Sequence, residues 1–130
     1  MTKQRQADLI TEIGEKIVED PASEALEWDL VACVATFEQG SSELLAYAFS
    51  RGGDYEVLML EDVFGLLDIV EDLRNEMIAD GEHGWLQALM TIARPEYKFS
   101  IIFEYDEPDR WEASDIIKDM SQKAKELGNA

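Results

Sequence analysis

Residues Tyr97 to Tyr105 alternate without a break. Tyr97, Phe99, Ile101, Phe103 and Tyr105 fall on one side, and Lys98, Ser100, Ile102 and Glu104 on the other. Aromatic and branched side chains at period two specify a strand with one buried face. A strand of this kind cannot stand alone, so the remaining chain must supply its neighbours and a layer to cover it. Directly after it come Asp106-Glu107-Pro108-Asp109, a turn dense in negative charge, and then Arg110-Trp111.

The chain before this strand reads as follows. Leu9, Ile10, Ile13, Ile17 and Val18 recur at helical spacing and predict a helix over 5–19, which Asp20-Pro21 should end. Residues 27–38 are apolar and rich in β-branched side chains, which suits a strand buried on both faces. Turns at Gln39–Ser42 and Ser50–Asp54 separate it from strands at Glu43–Phe49 and Tyr55–Leu60, giving an antiparallel meander. Asp62 is placed to cap a helix from Val63 to Ala79, whose apolar stripe is Val63, Leu66, Leu67, Val70, Leu73 and Met77. Trp85 to Ala93 should pair with the opening strand across Arg94-Pro95-Glu96.

Ile116, Ile117, Met120, Ala124 and Leu127 outline a last helix, with Ser114 as the expected cap and Gly128 as the stop. An earlier start is also open, because Asp109 and Glu112 have capping-box spacing. The expected fold is α+β: one domain over 1–130, with an antiparallel sheet of about five strands, helices packed on it, and the order α-βββ-α-ββ-α.

Charge narrows the function. There are 29 acidic residues against 11 basic ones, a formal net charge of −18. Such a surface does not hold phosphate, so direct binding of nucleic acid or of an anionic membrane is not expected. It suits a cationic protein partner. The acidic charge concentrates in two places. On the helix over 63–79, Asp68, Glu71, Asp72 and Glu76 line the side opposite the apolar stripe, with Arg74 as the only nearby cation. Asp68, Asp72 and Glu76 repel one another at i,i+4 spacing. The second place is the turn Asp106, Glu107 and Asp109, where Trp111 would add an exposed aromatic anchor. These eight residues are the candidate partner-binding surface.

Catalytic signals are weak. His83 sits alone between polar and glycine neighbours, and Cys33 is the single cysteine. Together they cannot assemble a zinc site or a nucleophilic triad. The best enzymatic alternative is a two-metal nuclease site drawn from Asp106, Glu107, Asp109 and Glu96-Tyr97-Lys98. Calcium at Asp106–Asp109 lacks the alternating acidic spacing of an EF-hand. Neither cofactor nor metal is expected. The lone cysteine suits a reducing compartment. Met1–Gln6 has no apolar run after its basic residues and is not a signal peptide, so a cytoplasmic location follows. Nothing in the sequence sets the oligomeric state.

Trp85, then Phe99-Ser100-Ile101-Ile102-Phe103-Glu104-Tyr105-Asp106, Pro108 and Arg110-Trp111 resemble the C-terminal signature of the YezG-like bacterial immunity proteins. In that family a tryptophan strand precedes a strand ending in Phe-x-Tyr-Asp, with an arginine shortly downstream. The match covers about the last half of the chain, and the first half agrees in general layout. This chain departs from longer members in ending on the polar helix Ser114–Leu127.

The resemblance implies a non-enzymatic immunity protein that neutralises a cognate toxin of a polymorphic or contact-dependent system, often a nuclease, by occluding its active site or substrate groove. The signature positions read as packing positions and carry over no binding residue. An acidic interaction module for another basic partner is the alternative, and a metal-dependent enzyme is the third reading.

Overall fold

A computed structural model of the chain describes residues 2–38, 41–107 and 109–128. Gln39 and Gly40 of the first expected turn and Pro108 of the acidic turn lie outside the described residues. The elements are α1 (Thr2–Glu19), α2 (Pro21–Ala25), β1 (Leu30–Glu38), β2 (Ser41–Phe49), β3 (Tyr55–Val57), α3 (Val63–Ala79), β4 (Gln87–Ala93), β5 (Lys98–Glu104) and α4 (Ala113–Gly128). The fold is α+β. All strand pairs are antiparallel, and the order across the sheet is β3-β2-β1-β4-β5.

The centre is β1 rather than the aromatic β5, which lies at an edge. Alternation in β1 sends Val31, Cys33, Ala35 and Phe37 into one core and Leu30, Ala32 and Val34 into another. Two layers therefore sandwich the sheet. On the first face, Leu9, Ile13 and Ile17 of α1 and Leu66, Val70 and Leu73 of α3 close over Trp85, Met90 and Ile92. On the second, Ile116, Met120 and Ala124 of α4 close over Tyr47, Phe49 and Leu89. Each fully buried aliphatic side chain contributes roughly 1.5–3 kcal/mol. A strand buried on both faces must be apolar throughout, and β1 is.

Strand and helix limits shift by a few residues at several ends, with α1 starting at Thr2, β1 at Leu30, β2 at Ser41 and β4 at Gln87, and four further differences have a physical cause. Pro21 does not merely stop α1. Asp20 caps a further short helix, its carboxylate accepting from Ala22 N at 2.9 Å, with Pro21 at the first helical position, where its missing N–H costs nothing. The same carboxylate accepts from Glu61 N at 3.0 Å and Asp62 N at 3.3 Å. That hold draws the chain off the sheet edge and sends Leu60 into the core, so β3 ends at Val57 instead of Leu60.

Tyr97 is in the hairpin turn at φ 56° and not in the strand, its ring edge-on to Trp28 at 6.1 Å. The buried-side row of β5 is thus Phe99, Ile101 and Phe103. Finally, α4 begins at Ala113. Ser114 therefore lies inside the first turn instead of capping it, and Asp109 does not open the helix. By contrast α3 keeps its expected limits, with Asp62 accepting from Gly65 N at 3.0 Å.

Candidate functional site

The outer face of α3 is set by its inner one. With Leu66, Val70, Leu73 and Met77 buried, Asp68, Glu71 and Asp72 are exposed and Glu76 is half-exposed. None of the four carboxylates has a hydrogen bond or ion pair among the described residues. Arg74 does not relieve them. It turns inward, donating from Nε to the Trp85 carbonyl at 2.6 Å, and its guanidinium stands 5.8 Å from the Phe37 ring and 6.0 Å from that of Trp85. Gly84 leaves the space for it: a Cβ there would lie 2.5 Å from Arg74 Nη2.

The acidic turn is organised by Glu104. Its Oε2 accepts from the backbone N–H of Asp106 at 3.0 Å and of Glu107 at 3.3 Å, while Oε1 accepts from Arg110 at 2.8 Å. These donors, the Asp106 N–H first and Arg110 next, hold the Glu104 carboxyl below its ordinary range. The Asp106 and Glu107 side chains are exposed and have no partner among the described residues.

Trp111 corrects the sequence expectation. It is buried, at 7% exposure, in the core beneath α4. Its backbone N–H donates to Gln87 Oε1 at 2.9 Å, Gln87 Nε2 returns a bond to its carbonyl at 3.4 Å, and Arg110 lies 4.7 Å from its ring. A ring held in this way packs the turn onto the sheet and cannot anchor a partner. The exposed aromatics among the described residues are Phe64, Tyr97, Tyr55 and, next to the acidic turn, Tyr105, whose hydroxyl donates to Glu82 Oε1 at 3.2 Å.

The two acidic features lie on opposite faces of the sheet and meet only at its end. A hollow of about 210 Å³, with Arg74 and Phe37 also in its lining, joins Glu71 and Asn75 of α3 to Glu38, Ser41 and Ser42 of the β1–β2 hairpin. A second, of about 420 Å³, joins the same hairpin residues and Glu43 to Asp109 and Glu112. The carboxylates therefore run around the sheet end through Glu38, Glu43 and Glu112. Sequence reasoning missed these three, because the pairing of β1 with β2 sets Glu38 beside Glu43 and only the packing of the segment before α4 brings Glu112 to them. The signal was available in the short turn at Gln39–Ser42, which predicts that its flanking residues sit together.

The residues of the alternative two-metal site do not converge. Glu96, Tyr97 and Lys98 lie at one end of β5 and Asp106, Glu107 and Asp109 beyond the other, separated by about 20 Å of strand. Among the described residues no group of three or more His, Cys, Asp or Glu is placed to hold a metal ion. Burial pushes the Cys33 thiol up to about 12, so it stays protonated. His83 is exposed and makes no hydrogen bond among the described residues. Among them, too, no helix is long and apolar enough to cross a membrane.

No protein-family model matches this chain, and no curated protein matches it in sequence.

Proposed function

We propose that this protein is a cytoplasmic immunity protein, which binds a cationic toxin and neutralises it by laying carboxylates over the basic groove that holds the toxin's substrate. A nuclease domain is the first candidate, because holding nucleic acid requires clustered Lys and Arg. One observation carries the reading. Asp68, Glu71, Asp72 and Glu76 have no partner among the described residues, while Arg74, the one cation on that helix, is half-buried and spends its Nε donor on the Trp85 carbonyl. Like charges at i,i+4 cost roughly 0.2–0.5 kcal/mol per pair, a cost that a cationic partner would reverse. The continuation of the acidic surface to Asp109 and the resemblance to YezG-like immunity proteins support the same reading. Long-range attraction to a chain at −18 gives fast association, which an inhibitor of a lethal enzyme needs.

The experiment is capture followed by inhibition. Tagged protein is used to recover its partner from the producing cell, and the partner is assayed with and without stoichiometric tagged protein. The expected result is a basic partner that kills a host when expressed alone, loses its activity in the complex, and is tolerated when both are expressed. If the captured partner is not toxic, or keeps its activity in the complex, the reading is wrong.

A further inference from the structure

The sheet ends on two strands that are unequally defended. β3 is three residues long, and a short edge is a poor template for further pairing. β5 is seven residues long, carries one lysine, and has no proline or glycine between Lys98 and Glu104.

The ladder shows which backbone groups of β5 are open. Arg94 N–H bonds Asp29 O at 2.9 Å, and Phe37 N–H bonds Leu86 O at 2.8 Å, so the even-numbered residues of β4 serve β1. Its odd-numbered residues, Gln87, Leu89, Thr91 and Ala93, serve β5. By register these meet Glu104, Ile102, Ser100 and Lys98. Phe99, Ile101 and Phe103 therefore point their N–H and C=O groups away from the sheet, where no strand stands among the described residues.

The side chains of the same three residues are only partly buried. At the Phe99 end, α1 and β5 leave a groove of about 440 Å³ lined by Ile10, Gly14, Val18, Ile92, Tyr97 and Phe99. Its rim carries Glu15 and Glu19, both exposed and neither with a partner among the described residues. On the other face of β5, Ile102 is 50% exposed.

We propose that β5 accepts an extended segment of a protein partner as a sixth strand, apolar on the side that faces the groove and basic in net charge. Side chains paired with Phe99, Ile101 and Phe103 would lie on the α1 face, and the one paired with Phe99 would enter the groove. Open N–H and C=O groups supply affinity, and the rim and net charge select the sign. A second copy is disfavoured as the occupant, since it would bring another chain at −18 and another Glu15 and Glu19 to the same seam. The charge of the occupant rests on the function proposed above, but the place and the mode of docking do not.

The probe is a short peptide of alternating lysine and valine at low ionic strength, with amide exchange followed by NMR on the intact protein. As the peptide saturates, exchange at Phe99, Ile101 and Phe103 should slow by roughly tenfold or more, while Ser100 and Ile102, already bonded to β4, change little. The same peptide with N-methylated valines keeps its charge and apolar groups but loses the donors that face β5, and should bind about tenfold more weakly.

Peptide effects confined to Asp68–Glu76, with the three edge amides unmoved, would overturn the docking mode and leave the cationic-partner reading standing. Absence of binding by either peptide would overturn the docking proposal, while the function proposed above stands or falls on the capture and inhibition experiment. Protection of the three amides in protein alone, rising with concentration alongside a dimer mass, would make a second copy the occupant and overturn the proposal as stated.

Discussion

Gln87 and Trp111 hold each other through two hydrogen bonds, one from the Trp111 backbone N–H at 2.9 Å and one back to its carbonyl at 3.4 Å. Gln87 is 2% exposed, and its amide also donates to Thr36 Oγ1 at 3.1 Å. A single side chain on β4 thus ties the acidic turn and the start of α4 to the middle of the sheet. Gln87→Leu keeps most of the volume but orphans a buried N–H. It should cost about 1–3 kcal/mol in urea unfolding. A smaller effect would mean that the turn is held by packing of the Trp111 ring alone.

Arg74 and Gly84 form a second coupled pair. Arg74→Ala removes the bond to the Trp85 carbonyl and the contacts with two aromatic rings, at a cost of about 1–3 kcal/mol. Gly84→Ala places a methyl 2.5 Å from Arg74 Nη2 and should destabilise as well. In the double variant the second change should cost less than it does alone, a coupling of roughly 0.5–3 kcal/mol. Strict additivity in a double-mutant cycle would show that Gly84 is not there to make room for the guanidinium.

The acidic stripe makes two predictions of opposite sign for stability and binding. Asp72 lies four residues from both Asp68 and Glu76, so Asp72→Asn removes two repulsive pairs and should raise stability by roughly 0.4–1 kcal/mol in all. Asp72→Lys with Glu76→Lys should slow association with the cationic partner and flatten its dependence on salt, measured by stopped-flow mixing. Unchanged rates in a folded variant would move the contact surface off α3.

Acid sensitivity should be traceable to Glu104. Its folded pKa lies below its ordinary value of 4.5 because the Asp106 N–H and then the Arg110 side chain bond the ionised form. A lowered carboxyl pKa stabilises the fold above the unfolded value, and the contribution is lost as pH falls through the folded one. Neutralising the other carboxylates relieves repulsion over the same range, so wild type must be compared with Glu104→Gln. The difference between their urea midpoints should be constant above pH 4.5 and shrink below it. A difference that is flat down to acid pH would show that the turn does not depend on the Glu104 charge.

Local signals in the chain were read well and distant ones poorly, for a physical reason. The limits of α3 follow from Asp62, a short polar side chain that meets its own Gly65 N–H three residues on. The double burial of β1 follows from its composition. But Asp20 acts on Glu61 and Asp62, some forty positions away, and nothing near Asp20-Pro21 announces that partner. Trp111 fails in the same way. An aromatic after an acidic turn suits either an exposed anchor or a buried wedge, and the choice is made by Gln87 on a distant strand. Within the candidate site, the α3 stripe was legible because helical spacing alone defines it. Glu38, Glu43 and Glu112 were not, because only the folded chain brings them to one end.

The strand order also bears on how the chain is made. β1 is the most apolar strand and pairs with β2 almost at once, but its other side waits for β4, which is synthesised only after all of α3. On the ribosome, a nascent chain ending anywhere before Gln87 carries β1 with a bare hydrogen-bonding side in an otherwise formed hairpin. A chain in that state would be open to mispairing, and the strong negative charge it carries would oppose the approach of a second such chain.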